Sequence, residues 1–108
     1  MKTLSLQQNG ANMNTENNPE EFYNKLKSRL EETTSWPSEY LFKFIVPSAK
    51  EKIKAIEDLF DNTGAVIKTK ESRNGTYTSI SVNVSMKDAD EVIKMYKDAA
   101  VVEGVISL

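Results

Sequence analysis

From Ala65 to Met86 apolar and polar positions alternate on both sides of Asn74-Gly75. Asn-Gly between two extended runs marks a hairpin, because a two-residue type I′ turn needs positive φ at both positions. Folding the chain there sets Arg73 opposite Thr76. Counting outward pairs Thr69 with Ile80, Ile67 with Val82 and Ala65 with Val84, a largely apolar face. The alternate pairs are Ser72 with Tyr77, Lys70 with Ser79, Lys68 with Ser81 and Val66 with Asn83, a largely polar face. A slip of one residue would turn every side chain over, so the pattern predicts one register and a half-buried hairpin.

The flanking elements follow from similar patterns. Tyr40, Phe42, Phe44 and Val46 alternate with Leu41, Lys43 and Ile45, which predicts a first strand stopped by Pro47. Ser48 with Glu51 has the spacing of a capping box. The helix it opens carries Ile53, Ile56, Leu59 and Phe60 on one stripe, with Gly64 as a left-handed stop. Asp88 with Glu91 is a second capping box, opening a helix with Ala89, Val92, Ile93, Tyr96 and Ala99 inward. Gly104 breaks that pattern, and Val105 to Leu108 form a last short strand, expected at a sheet edge. Upstream, Asn18-Pro19-Glu20-Glu21 combines an N-cap, a first-turn proline and acids at the positive end of the dipole. The helix it starts should run to about Glu32, with Phe22, Leu26 and Leu30 as its stripe and residues 33–35 as its end. Residues 1–18 are rich in Asn, Gln, Ser and Thr without periodicity, as in a disordered tail.

The order after the first helix is strand, helix, strand, strand, helix, strand. Two right-handed crossovers then give a four-stranded antiparallel sheet with both helices on one face. This is an α+β, ferredoxin-like βαββαβ fold over residues 36–108, with an extra helix over 19–34. Phe42, Phe44, Ile67, Ile80, Val82 and Val84 should meet Ile53, Ile56, Leu59, Phe60, Val92, Ile93 and Tyr96. The stripe of the extra helix is expected to pack against this domain.

Composition narrows the chemistry. The 108 residues suit one domain, and 39% hydrophobic with 28% charged residues suits a globular one. A net charge of −2 argues against a dedicated nucleic-acid binder. There is no cysteine and no histidine, which removes thiolate and imidazole metal sites and Ser-His or Cys-His catalysis. No cofactor is implied. No signal-peptide core or membrane-spanning run is evident, so a cytoplasmic protein without membrane contact is expected.

Three stretches carry a family resemblance. Trp36-Pro37-Ser38-Glu39-Tyr40-Leu41-Phe42-Lys43-Phe44 resembles the entry to the first strand of the YbeD-like family of uncharacterised conserved bacterial proteins. Asn74-Gly75-Thr76-Tyr77-Thr78-Ser79-Ile80-Ser81-Val82 is similar to that family's hairpin motif, and Glu103-Gly104-Val105-Ile106-Ser107-Leu108 to its closing strand. The resemblance spans Trp36 to the end and leaves out the first helix. It implies an ACT-like, ferredoxin-like fold and a regulatory or ligand-sensing role, with no established activity.

The open face of the sheet is the candidate site. Lys43, Lys68, Lys70, Tyr77, Ser79 and Ser81 fall on it, and three lysines beside two serines suit an anion or an acidic partner surface. Ordinary solvated strand lysines have the same signature. Leu41, Ile45 and Val66 share the face and call for a cover, from the extra helix or from a second copy. ACT domains grip ligands with a glycine-containing loop after the first strand; here that loop is Val46-Pro47-Ser48-Ala49, without glycine. For RNA recognition the face offers only Tyr77 as a stacking aromatic. Acylphosphatase-like catalysis would need an arginine in the first loop, whereas Arg73 is in the hairpin turn. The reading is a non-enzymatic regulatory or adaptor domain, monomer or homodimer. It would bind a protein partner or a small anionic metabolite through the sheet surface. The alternative is an ACT-like amino-acid sensor acting at a dimer interface.

Overall fold

A computed structural model describes residues 19–108; the expected tail over residues 1–18 and its Asn18 cap lie outside them. The elements are α1 (Pro19–Thr33), β1 (Ser38–Pro47), α2 (Lys50–Asp58), β2 (Val66–Glu71), β3 (Tyr77–Met86), α3 (Ala89–Ala99) and β4 (Ile106–Ser107). The strands form one sheet in the order β2-β3-β1-β4, with every neighbouring pair antiparallel. This is the expected ferredoxin-like arrangement.

β1 and β3 form the central ladder, from Ser38 opposite Met86 to Pro47 opposite Tyr77. Phe42, Phe44 and Val46 alternate inward from β1, and Thr78, Ile80, Val82, Val84 and Met86 from β3; all are buried. Ile56 and Phe60 meet them from the α2 side, with Val92, Ile93 and Tyr96 from α3. Ile67, Ile53 and Leu59 are only partly buried at the margins of the core. The centre is aromatic. The Phe42 ring lies 5.1 Å from that of Tyr96 and 5.3 Å from that of Phe60. Full burial of such a side chain contributes about 1.5–3 kcal/mol, and a well-placed ring pair about 0.5–1.5 kcal/mol more. The Tyr40 and Tyr96 hydroxyls share a hydrogen bond of 2.9 Å, which satisfies the polar tips.

The hairpin has the expected register, with Ile67 opposite Val82, Lys68 opposite Ser81 and Lys70 opposite Ser79. Its turn is not type I′. Gly75 has φ +75°, but Asn74 is not left-handed. The Gly75 N–H donates to the Ser72 carbonyl at 2.9 Å, and the Ser72 N–H to the Tyr77 carbonyl at 2.7 Å. Asn74 works through its side chain: Oδ1 accepts from the Thr76 N–H and the Ser72 hydroxyl, each at 3.1 Å. An Asx-type contact thus closes the loop that a second left-handed residue would otherwise close. The register survives because the buried face sets it. At the end of α2, Asn62 (φ 64°) and Gly64 (φ 77°) share the left-handed exit expected of Gly64 alone.

Two other expectations hold in part, the extra helix packing against the domain as expected. The closing strand is only two residues long, and its edge position is as expected. The extra helix packs on the helical layer and not across the open sheet face. Glu20 reaches Lys97 at 3.2 Å and Lys27 reaches Asp90 at 2.9 Å, so α1 runs antiparallel along α3. Leu30 is buried, Tyr23 and Leu26 are half-buried, and Phe22 remains 45% exposed. The reason lies in α3. Its buried residues include Met95 as well as Val92, Ile93 and Tyr96. At 3.6 residues per turn they cover an arc of roughly 160°, wider than a sheet beneath can occlude.

Burial, with the Tyr40 hydrogen bond second, pushes the Tyr96 hydroxyl pKa far above its ordinary value of 10.0. Above pH 10 the unfolded chain releases this proton while the folded chain keeps it. Stability should therefore fall as pH rises past 10, by up to about 1.4 kcal/mol per pH unit from this group. Urea unfolding between pH 9 and 11 should show a shallower fall for Tyr96→Phe; equal slopes would contradict the burial of this hydroxyl.

Candidate functional site

The sheet face opposite the helices is built by the same ladders. In one row Lys68, Ser81 and Lys43 stand side by side across β2, β3 and β1. In the next row stand Lys70, Ser79, Ile45 and Ile106. Adjacent strands lie about 4.8 Å apart, so Lys68 and Lys43 flank Ser81 at roughly 10 Å between backbones, within reach of one anion. Tyr77 lies at the hairpin end of the same face. The structure thus places all six expected residues on one surface. Lys43, Lys68, Lys70 and Tyr77 are exposed, while Ser79 and Ser81 are half-buried between longer neighbours.

Lysines outnumber carboxylates on this face. Lys25, Lys27, Lys54, Lys94 and Lys97, all on helices, pair with carboxylates. Among the described residues, Lys43, Lys68 and Lys70 make no such pair. Two carboxylates lie near them: Glu39, opposite Ser85 and four residues along β1 from Lys43, and Glu71, which lines the hairpin end of the face beside Lys70. The Ser79 hydroxyl donates to the Lys70 carbonyl at 3.3 Å, whereas the Ser81 hydroxyl has no such partner among the described residues.

At the hairpin end the face sinks into an open depression of about 540 Å³, lined by Ile45, Lys70, Glu71, Ser72, Arg73, Tyr77 and Ser79. Ile45 was expected on this face, but Glu71, Ser72 and Arg73 were not among the candidate site residues. The hairpin register already set Ser72 beside Tyr77 and Arg73 opposite Thr76, but the turn's conformation had to be known before Arg73 could be assigned to the depression. The apolar side of the face also extends further than expected. Ile106 pairs with Ile45, and the Leu108 N–H donates to the Lys43 carbonyl at 2.9 Å. Leu41 and Val66 are each 59% exposed, Ile106 50% and Leu108 65%. Nothing among the described residues covers them.

The loop after β1 does not cap α2 as its sequence suggested. The N-cap is Ala49, without a side-chain cap. The Ser48 hydroxyl instead meets the buried Thr78 hydroxyl at 2.7 Å, and the Ser48 N–H donates to the Thr76 carbonyl at 3.0 Å. A polar group buried in β3 takes the side chain from a solvated helix end, where water can replace it. The far side of the loop is closed too: a Cβ at Gly104 would sit 2.9 Å from Pro47 Cγ. By contrast the Asp88 cap forms, with Oδ1 accepting from the Glu91 N–H at 2.8 Å. Glu91 answers one residue early, on the Lys87 N–H at 2.7 Å. No group of three or more acidic side chains among the described residues is placed to hold a metal ion. No helix among them is long and apolar enough to cross a membrane.

The sequence matches a family described as a protein of unknown function, DUF493, over residues 31–107. The chain belongs to the DUF493 family. The match takes in nearly all of the stretch from Trp36 onward that resembles YbeD-like proteins. No curated protein matches the chain. The fold of this DUF493 protein is similar to that of the uncharacterised protein TM1266 from Thermotoga maritima. The TM-score is 0.55 at 14% identity, covering 65% of this chain and 90% of that one. At that identity the likeness is one of fold.

The loop geometry of this DUF493 chain separates two single substitutions. Ser48→Ala should cost about 1–3 kcal/mol, because it leaves the buried Thr78 hydroxyl without its partner. Glu51→Ala should stay within about 0.5 kcal/mol, as an exposed residue with no capping role. Denaturant unfolding of both variants checks this; equal losses would restore the capping box.

Proposed function

We propose that this protein is a non-catalytic regulatory or adaptor domain of the cytoplasm that binds an anionic group on its open sheet face. The group belongs to a protein partner or a small anionic metabolite. The observation that carries this reading is the row Lys68-Ser81-Lys43 with Lys70 beside it, cationic and without ion pairs among the described residues. The chain as a whole is net negative, whereas Lys43, Lys68 and Lys70 are gathered on this face. Exposed lysines attract a carboxylate or phosphate at 4 Å with about 1–4 kcal/mol, depending on local screening. They also speed the encounter, and both effects weaken with salt. The loop after β1 does not favour the ACT-like alternative, since it has no glycine and its serine is engaged with Thr78.

Thermal unfolding in phosphate, citrate, acidic amino acids and nucleotides tests the reading. At least one should raise the melting temperature saturably; a ligand at a hundred times its Kd stabilises by about 2.7 kcal/mol. The rise should vanish in Lys43→Glu, Lys68→Glu or Lys70→Glu, while the melt without ligand changes by no more than about 0.5 kcal/mol. A rise that survives all three reversals would overturn the site.

A further inference from the structure

The open face is also a trough with two unlike walls. Its floor is β3, where Ser79 and Ser81 are short and half-buried. One wall is β2, with Lys68 and Lys70 and the exposed Val66 at the end away from the hairpin. The other is apolar: Leu41 and Ile45 on β1, with Ile106 and Leu108 beyond them at the edge. Lys43 interrupts this wall at mid-length, and Tyr77 stands at the hairpin end. We infer that this trough is the seat of an acidic amphipathic helix from a protein partner, lying along β3. This deepens the proposed function and rests on it.

Dimensions agree. The walls are two strand spacings apart, about 10 Å, close to the 10–12 Å diameter of a helix. From Tyr77 to Asn83 the floor runs roughly 20 Å, the length of a helix of about 13 residues. Such a helix would set apolar residues at i, i+3/i+4 and i+7 on the Leu41–Ile45–Ile106 side. Its carboxylates would lie over Lys68 and Lys70. A helix brings its backbone hydrogen bonds with it. An extended peptide laid flat on a sheet face would bury N–H and C=O groups with no partner, because the sheet's own are already paired in ladders.

Charge decides between occupants. A second copy docking face to face would bring six lysines into one interface against the Glu39 and Glu71 of each copy, an excess of positive charge whichever residues lie on the axis. The first helix is committed to α3. A partner that carries its own carboxylates beside an apolar stripe satisfies both walls at once.

The test uses the full chain and a designed 14-residue peptide with leucines at i, i+3/i+4 and i+7 and glutamates along one flank. Its mirror in charge has lysines for glutamates. Amide chemical shifts of the labelled protein should move on Lys68, Lys70, Ser79, Ser81 and Ile45, saturably, and not on α1. The double variant Lys68→Glu/Lys70→Glu should weaken the acidic peptide by roughly tenfold and gain affinity for the lysine peptide. A circular-dichroism melt confirms that the variant is folded. Equal binding of both peptides, or shifts on the helical layer, would overturn the inference. Shifts from phosphate or citrate without binding of the acidic peptide would overturn the helix and leave the anion reading standing. Silence of the face toward all of these probes would remove both readings. A dimer in light scattering that hides the same residues would replace the partner helix by a second copy.

Discussion

Everything in this domain depends on the antiparallel ladder between β1 and β3. It sets Phe44 opposite Ile80 and Phe42 opposite Val82, and by the same act sets Lys43 opposite Ser81 and Ile45 opposite Ser79. Side chains in a strand alternate with a period of two, so the core and the open face are two sides of one register. A slip of one residue would push Lys43 among the aromatic rings, at a cost of several kcal/mol for a buried unpaired charge. The cationic face is therefore maintained by the packing of Phe42, Phe44, Phe60 and Tyr96, which never touch it.

The molecule divides its charge along the same line. The helical layer, thickened by α1 on α3, holds ion pairs within helices and between them. These exposed pairs each contribute at most about 1 kcal/mol, and they engage five of the lysines on that side. The other side has cations without such pairs among the described residues, and apolar side chains left in solvent. Large exposed apolar residues gathered beside unpaired charge are the usual marks of a surface that meets something else.

Much of this was legible in the chain. The hairpin register and the inward positions of both domain helices follow from periodicity, where apolar and polar positions contrast cleanly. The turn was harder, because Asn74 can close a loop by its backbone or by its side chain, and the dipeptide looks the same in either case. Ser48 shows the limit of local patterns. Ser-x-x-Glu spacing is present, but the hydroxyl finds Thr78 thirty residues away. The seat of α1 depended on a signal at the far end of the chain, the added apolar position Met95 that widens the buried arc of α3. The apolar wall of the candidate site needed the pairing of Ile106 with Ile45, and a two-residue strand leaves little pattern to read.

One face of the sheet is packed, and nothing among the described residues covers the other. The most direct measurement is the relaxation of methyl resonances by a neutral paramagnetic probe dissolved with the full chain. Leu41, Ile106 and Leu108 should relax strongly, and Ile56 and Ile80, which are fully buried, should scarcely respond. Protection of Leu41 and Ile106 to the level of Ile80 would show that this face is already covered, and would contradict the account.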